Sequence, residues 1–99
     1  MNYNLFTDKD IKFWILKVLS LDSDFTVNTN ILQIALKEFG HDLSINSLEQ
    51  HLNILEDVKL VTLESLEHLT IAKITRSGLD TVQGRQKSNI VRRPNPEEL

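Results

Sequence analysis

Between Ile31 and Ile74 the spacing of apolar residues changes once, from a helical period to a strand period, and that change limits the fold more than any other feature of the chain. Ile31, Leu32, Ala35, Leu36 and Phe39 lie three and four apart, as the buried face of an amphipathic helix does. Gly40 stands where a left-handed C′ residue ends such a helix. After His41-Asp42-Leu43 a second stripe follows, Ile45, Leu48, Leu52 and Leu55, with Ser44 placed as its cap. The period then falls to about two. Leu60-Val61-Thr62-Leu63 and the run Leu69 to Ile74 read as two strands, with Glu64 to His68 as the turn. Two helices joined by a short glycine-bearing turn form a helix-turn-helix. A hairpin that follows directly cannot stand alone in water and must dock on the helices.

The flanks extend this pattern. Thr7 is placed to cap a first helix, Asp8 and Asp10 suit its positive end, and Ile11, Trp14, Ile15 and Val18 form its stripe. Phe25-Thr26-Val27 is long enough only for a minimal β-segment, and Val27 with Leu32 makes a hydrophobic staple around an Asn28 cap. Thr75 can cap a last short helix, Arg76 to Gln83, ended by Gly84. Pro94 and Pro96 disfavour helix beyond that point. The predicted fold is therefore α+β and mostly helical: a winged helix-turn-helix with a three-helix core, a two-stranded wing and a short C-terminal helix. Residues 1–84 make the domain, and residues 85–99 make an extended or mobile tail.

Ninety-nine residues suffice for one domain whose core needs neither disulfide nor metal. With no cysteine there is no thiolate ligand or Cys nucleophile, and none of the pairs among His41, His51 and His68 has the i, i+4 spacing of helical metal ligands. A glycine-rich phosphate loop and a Gly-x-Ser-x-Gly elbow are both missing, so neither catalysis nor a cofactor is expected. No stretch approaches the roughly 20 apolar residues of a membrane span, and the N-terminus lacks a basic segment followed by an apolar run. A cytoplasmic protein without membrane contact is the expectation.

Several segments resemble one family. Gly40-His41 before a Ser-capped helix, Leu60-Val61-Thr62, the run Ala72-Lys73-Ile74-Thr75-Arg76-Ser77-Gly78-Leu79-Asp80, Gly84-Arg85 and Val91-Arg92-Arg93-Pro94 are similar to the small winged-helix proteins of Mu-like phages and prophages, some of them labelled ArsR-like. The resemblance implies the winged-helix fold and a phage setting. Metal sensing of the ArsR kind is not implied, because this chain lacks the cysteines it uses.

Charge bears on the partner. The net charge is −3, with 12 Asp/Glu against 7 Lys/Arg in residues 1–84 and 4 Lys/Arg against 2 Asp/Glu in residues 85–99. For double-stranded DNA, Ser44, Asn46, Ser47, Gln50 and Asn53 would face base edges from the third helix. Lys73 and Arg76 at the hairpin base and Arg85, Lys87, Arg92 and Arg93 in the tail would meet phosphates. Against this, residues 41–57 carry Asp42, Glu49, Glu56 and Asp57 and no cation, and the wing offers Glu64, Glu67 and His68. A DNA-binding regulator or accessory factor is thus set against a winged-helix adaptor that binds another phage or host protein. The basic tail has a third reading, in which it lies on its own acidic domain. Phe6, Phe13 and Leu16, off the main stripe of the first helix, suggest a homodimer interface, unless Ile90-Val91 or Leu5-Phe6 covers that strip.

Overall fold

The computed structural model describes residues 3–99. In chain order the elements are α1 (Tyr3–Leu21), β1 (Thr26–Asn28), α2 (Thr29–Glu38), α3 (Ile45–Asp57), β2 (Val61–Leu66), β3 (Leu69–Ile74) and α4 (Arg76–Val82), followed by one 3₁₀ turn at Pro96–Glu98. Over the described residues the protein is α+β, with four α-helices and a three-stranded antiparallel sheet.

Local chemistry accounts for most helix ends. Asn28 caps α2 by accepting the Ile31 N–H at 2.9 Å, Ser44 caps α3 by accepting the Ser47 N–H at 3.1 Å, and Thr75 caps α4 by accepting the Gly78 N–H at 3.0 Å. All three of these helices end in the same way. The N–H groups of His41, Leu60 and Arg85 return to the carbonyls of Leu36, Leu55 and Asp80, while those of Gly40, Lys59 and Gly84 reach Lys37, Glu56 and Thr81. This paired arrangement is the Schellman motif, which requires a left-handed residue at C′. Gly40 (φ 90°) and Gly84 (φ 80°) supply it without strain, whereas at α3 a lysine, Lys59, holds φ 65°.

Two expectations at the element level change. Thr7 does not cap α1, which begins at Tyr3 and runs through Thr7. The minimal β-segment expected at Phe25–Val27 forms one residue later, at Thr26–Asn28, and joins the hairpin as a third strand in the order β1-β3-β2, with Thr26, Val27 and Asn28 paired to Lys73, Ala72 and Ile71. The hairpin is also longer than its apolar pattern. Glu64 and Ser65 pair with Ile71 and Thr70, and the turn shrinks to Glu67 and His68, with Glu67 at the positive φ (59°) that a two-residue hairpin loop needs.

The core joins Ile11, Phe13, Ile15, Leu16 and Leu19 of α1, Leu32 and Leu36 of α2, and Leu48, Leu52 and Leu55 of α3. Leu60 before β2, Val61, Ala72 and Ile74 of the sheet, Val82 of α4 and Val91 beyond it complete the cluster. α1 is buried over a wider arc than one stripe, because the chain after Gly84 folds back along it. Ile31, expected on the buried face of α2, is instead exposed, and Phe39 keeps one face open while the other stacks on Trp14 at 4.0 Å. Among the described residues no helix is long and apolar enough to cross a membrane.

Candidate functional site

The outward face of α3 and the adjoining hairpin hold most of the residues singled out for recognition. Asn46, Gln50 and Asn53 are exposed and fall within an arc of about 60° at 100° per residue. Ser47 is half-buried, and Ser44, though exposed, uses its hydroxyl as the cap. Beside this row, Glu49, Asn53 and Glu56 turn toward the hairpin. With Leu52, Leu63, Ser65 and Thr70 they line a cleft of about 280 Å³. The Glu56 carboxylate accepts the Leu63 N–H at 2.9 Å, so one wall is anchored to the edge strand. No lysine or arginine lines this cleft.

The expected phosphate contacts do not gather around it. Lys73 lies opposite Thr62 and Thr26, while Leu63 and Ala72 occupy the next register position. Strand alternation therefore sends Lys73 to the sheet face turned away from the cleft. Arg76 opens α4 at the hairpin base, near Lys59, whose carbonyl accepts the Thr75 hydroxyl at 2.8 Å.

Arg92 is built into the body. Its Nε donates to Asp10 at 2.5 Å, its two terminal nitrogens donate to both oxygens of Glu98 at 2.9 and 3.0 Å, and the guanidinium lies 4.0 Å from the centre of the Phe13 ring. Around it the Arg92 N–H reaches the Lys9 carbonyl at 3.2 Å, and Lys17 donates to the Glu98 carbonyl at 2.7 Å. Burial opposes the Arg92 charge, but the hydrogen bonds that it donates to Glu98 and Asp10 outweigh this and raise its pKa. The Arg92 guanidinium in turn holds the Glu98 carboxyl below the usual range. The tail is thus a strap on α1, in line with the reading in which it lies on its own acidic domain, and Arg92 is withdrawn from any phosphate-tracking role. Arg93, Lys87 and Arg85 stay exposed, Arg85 within 4.0 Å of Asp80.

The strap also corrects the expected dimer surface. Phe13 and Leu16 are fully buried within the single chain and cannot meet a second copy; of the three side chains only Phe6, 55% exposed, can. Of the alternatives that the sequence left open, cover by Ile90-Val91 is the one found, with Val91 buried in the core and Ile90 packed against it.

Two polar contacts had no sequence signal. Lys12, 5% exposed, meets His51 Nδ1 at 2.9 Å, an ammonium donating to a neutral imidazole. Burial lowers the pKa of both groups, and the Lys12 charge lowers that of His51 further. Asp10 joins the tail to the α2–α3 turn, because its second oxygen lies 2.7 Å from His41 Nε2. Both pairs link positions dozens of residues apart, so no local pattern could reveal them.

Comparison with known proteins supplies the setting. Over 88 residues, 89% of this chain and 91% of the relative, the sequence is 32% identical to gp26 of Escherichia phage Mu, an uncharacterized protein. The chain belongs to the gp26 family. A second relative, an uncharacterized protein of Haemophilus influenzae, is 30% identical over 100 residues, spanning 100% of this chain and 97% of the relative. No family model matches the chain, and no solved structure matches it. Membership in the gp26 family makes this a phage-type protein; its chemistry must be read from its own surface.

Proposed function

We propose that this gp26-family chain is a winged-helix domain that acts by binding another protein. The order α1-β1-α2-α3-β2-β3, with β3 central in the sheet, supports the winged-helix reading. The observation that carries the functional reading is the charge of the surface a winged helix would turn to a duplex. From His41 to Asp57 and from Leu60 to Ala72 there is no lysine or arginine, while Glu49, Glu56, Asp57, Glu64 and Glu67 are present. Phosphate neutralisation supplies nearly all non-specific affinity for DNA, and this surface opposes it. Arg92, one of the tail cations expected to compensate, is committed to Asp10 and Glu98.

A second reading, a sequence-specific DNA-binding regulator, is favoured by the exposed row Asn46, Gln50 and Asn53, side chains suited to adenine edges. Arg85, Lys87 and Arg93 would then contact phosphates. Neither reading requires a homodimer, and any that forms would use the Phe6 end of α1.

The deciding experiment is fluorescence anisotropy of random-sequence duplex DNA at about 50 mM and about 200 mM salt. The protein-binding reading expects no binding at either. Binding at low salt that collapses at the higher would refute it in favour of the regulator.

A further inference from the structure

The cleft between α3 and the outer half of the β2–β3 hairpin can be assigned an occupant. We propose that it receives a lysine or arginine side chain from an extended segment of a partner protein, an assignment that rests on the protein-binding reading above.

Charge complementarity is the first support. Glu49 and Glu56 stand on the α3 wall, and no cation of α3 or of the hairpin tip neutralises them. Shape and chemistry are the second. The half-buried Leu63 gives the largely polar cleft one apolar patch, against which part of an aliphatic stem can lie. Asn53, Ser65 and Thr70 add neutral oxygens around the two carboxylates, as a guanidinium with five N–H donors requires. A cleft of about 280 Å³ admits one such side chain, not a helix.

The third support is the strand edge beside the cleft. Among the described residues β2 pairs with β3 alone. The two-residue turn makes Leu66–Leu69 a hydrogen-bonded pair, so the alternation of an antiparallel ladder assigns Glu64 and Thr62 to bonds with β3. The main-chain groups of Leu63 and Ser65 therefore point to the open edge. Glu56 already takes the Leu63 N–H, which guards the edge against indiscriminate strand pairing. The Leu63 carbonyl and the Ser65 main chain lie where an extended segment would run while its basic side chain enters the cleft.

The test uses an end-capped, fluorescein-labelled hexa-arginine peptide titrated with full-length protein at about 50 mM salt, where exposed charges are weakly screened. Glu49→Gln combined with Glu56→Gln removes both cleft charges, and glutamine keeps an oxygen for the Leu63 N–H, so the fold is retained, which a melting curve verifies. Glu64→Gln with Glu67→Gln removes the same charge outside the cleft. The cleft pair is expected to weaken binding about tenfold or more and the outside pair less than about threefold, since solvent-exposed pairs contribute little. Equal weakening by both pairs, or no binding by the unmodified protein, overturns the assignment. Absent peptide binding together with absent duplex binding would remove this cleft alone. Duplex binding would remove the protein-binding reading itself.

Discussion

Gly78→Ala tests the account of how the hairpin meets α4. A Cβ at position 78 would lie 2.1 Å from the Leu60 carbonyl oxygen, 2.8 Å from Ile74 Cγ1 and 3.1 Å from the Leu60 carbonyl carbon. The Leu60 oxygen cannot retreat freely, because it accepts the Thr75 N–H at 3.0 Å, beside the Thr75 cap of α4. Relief therefore demands a shift of roughly 1 Å between two backbone segments, and forced overpacking of this kind costs about 1–3 kcal/mol or more. Loss of the Thr75–Leu60 bond adds about 1 kcal/mol. Alanine's better helix propensity returns about 1 kcal/mol. Sterics win, with a net loss on the order of 2 kcal/mol out of the 5–15 kcal/mol typical of a domain. For this size the melting temperature should fall by about 10 °C, followed by far-ultraviolet circular dichroism. An unchanged or raised melting temperature would mean that Gly78 is not a contact glycine and that the α4–hairpin junction is wrongly described. Gly40→Ala is the companion: its Cβ would meet nothing within 4 Å, so only the φ of 90° is tested, at a cost of about 1–2 kcal/mol.

Four further substitutions and a pH profile bear on the strap, the helix ends and the buried imidazole. Arg92→Ala should lower stability by on the order of 2 kcal/mol and change the fluorescence of Trp14, whose ring lies 5.9 Å from the guanidinium; a variant matching the parent in both would show the tail to be dispensable. Arg92→Lys should recover only part, because an ammonium cannot make the bidentate contact with Glu98. Lys59→Gly should raise stability by up to about 1 kcal/mol in urea titrations by relieving the left-handed φ of 65°, whereas a loss would mean that the lysine side chain matters more than its backbone. The folded-state pKa of His51 lies below 6.5 and that of Glu98 below 4.5, so in each case the unfolded chain binds more protons. Stability is therefore expected to fall as pH drops below 6.5 through His51 and again below 4.5 through Glu98. Replacing His51 by Gln should flatten the first step only, and an unchanged profile would refute a neutral His51 imidazole beside Lys12.

The gp26 relationship places the chain among phage-type proteins but leaves its surface to speak for its activity. That surface joins an amide-bearing helix row with an acidic cleft. The charge balance is what favours the proposed protein-binding reading, because a duplex presents one negative charge about every 1.7 Å and α3 carries no lysine or arginine to offset them.

The sequence alone determined what depends on neighbours within a few residues. The caps Asn28, Ser44 and Thr75, the left-handed glycines at 40 and 84 and the change of period before β2 could all be read because each is a local interaction with a fixed offset. The acidic character of α3 was equally legible, since outward positions follow from the helical period. Only the tertiary structure decided what depends on distant segments meeting. Phe13 stands off the α1 stripe, and whether it faced solvent, a second copy or the tail was open until Val91 and Arg92 were seen to cover it. The same holds for Lys12 with His51, for the third strand at Thr26–Asn28 and for the lack of room at Gly78. Each depends on where the chain returns in space, which local periodicity does not encode.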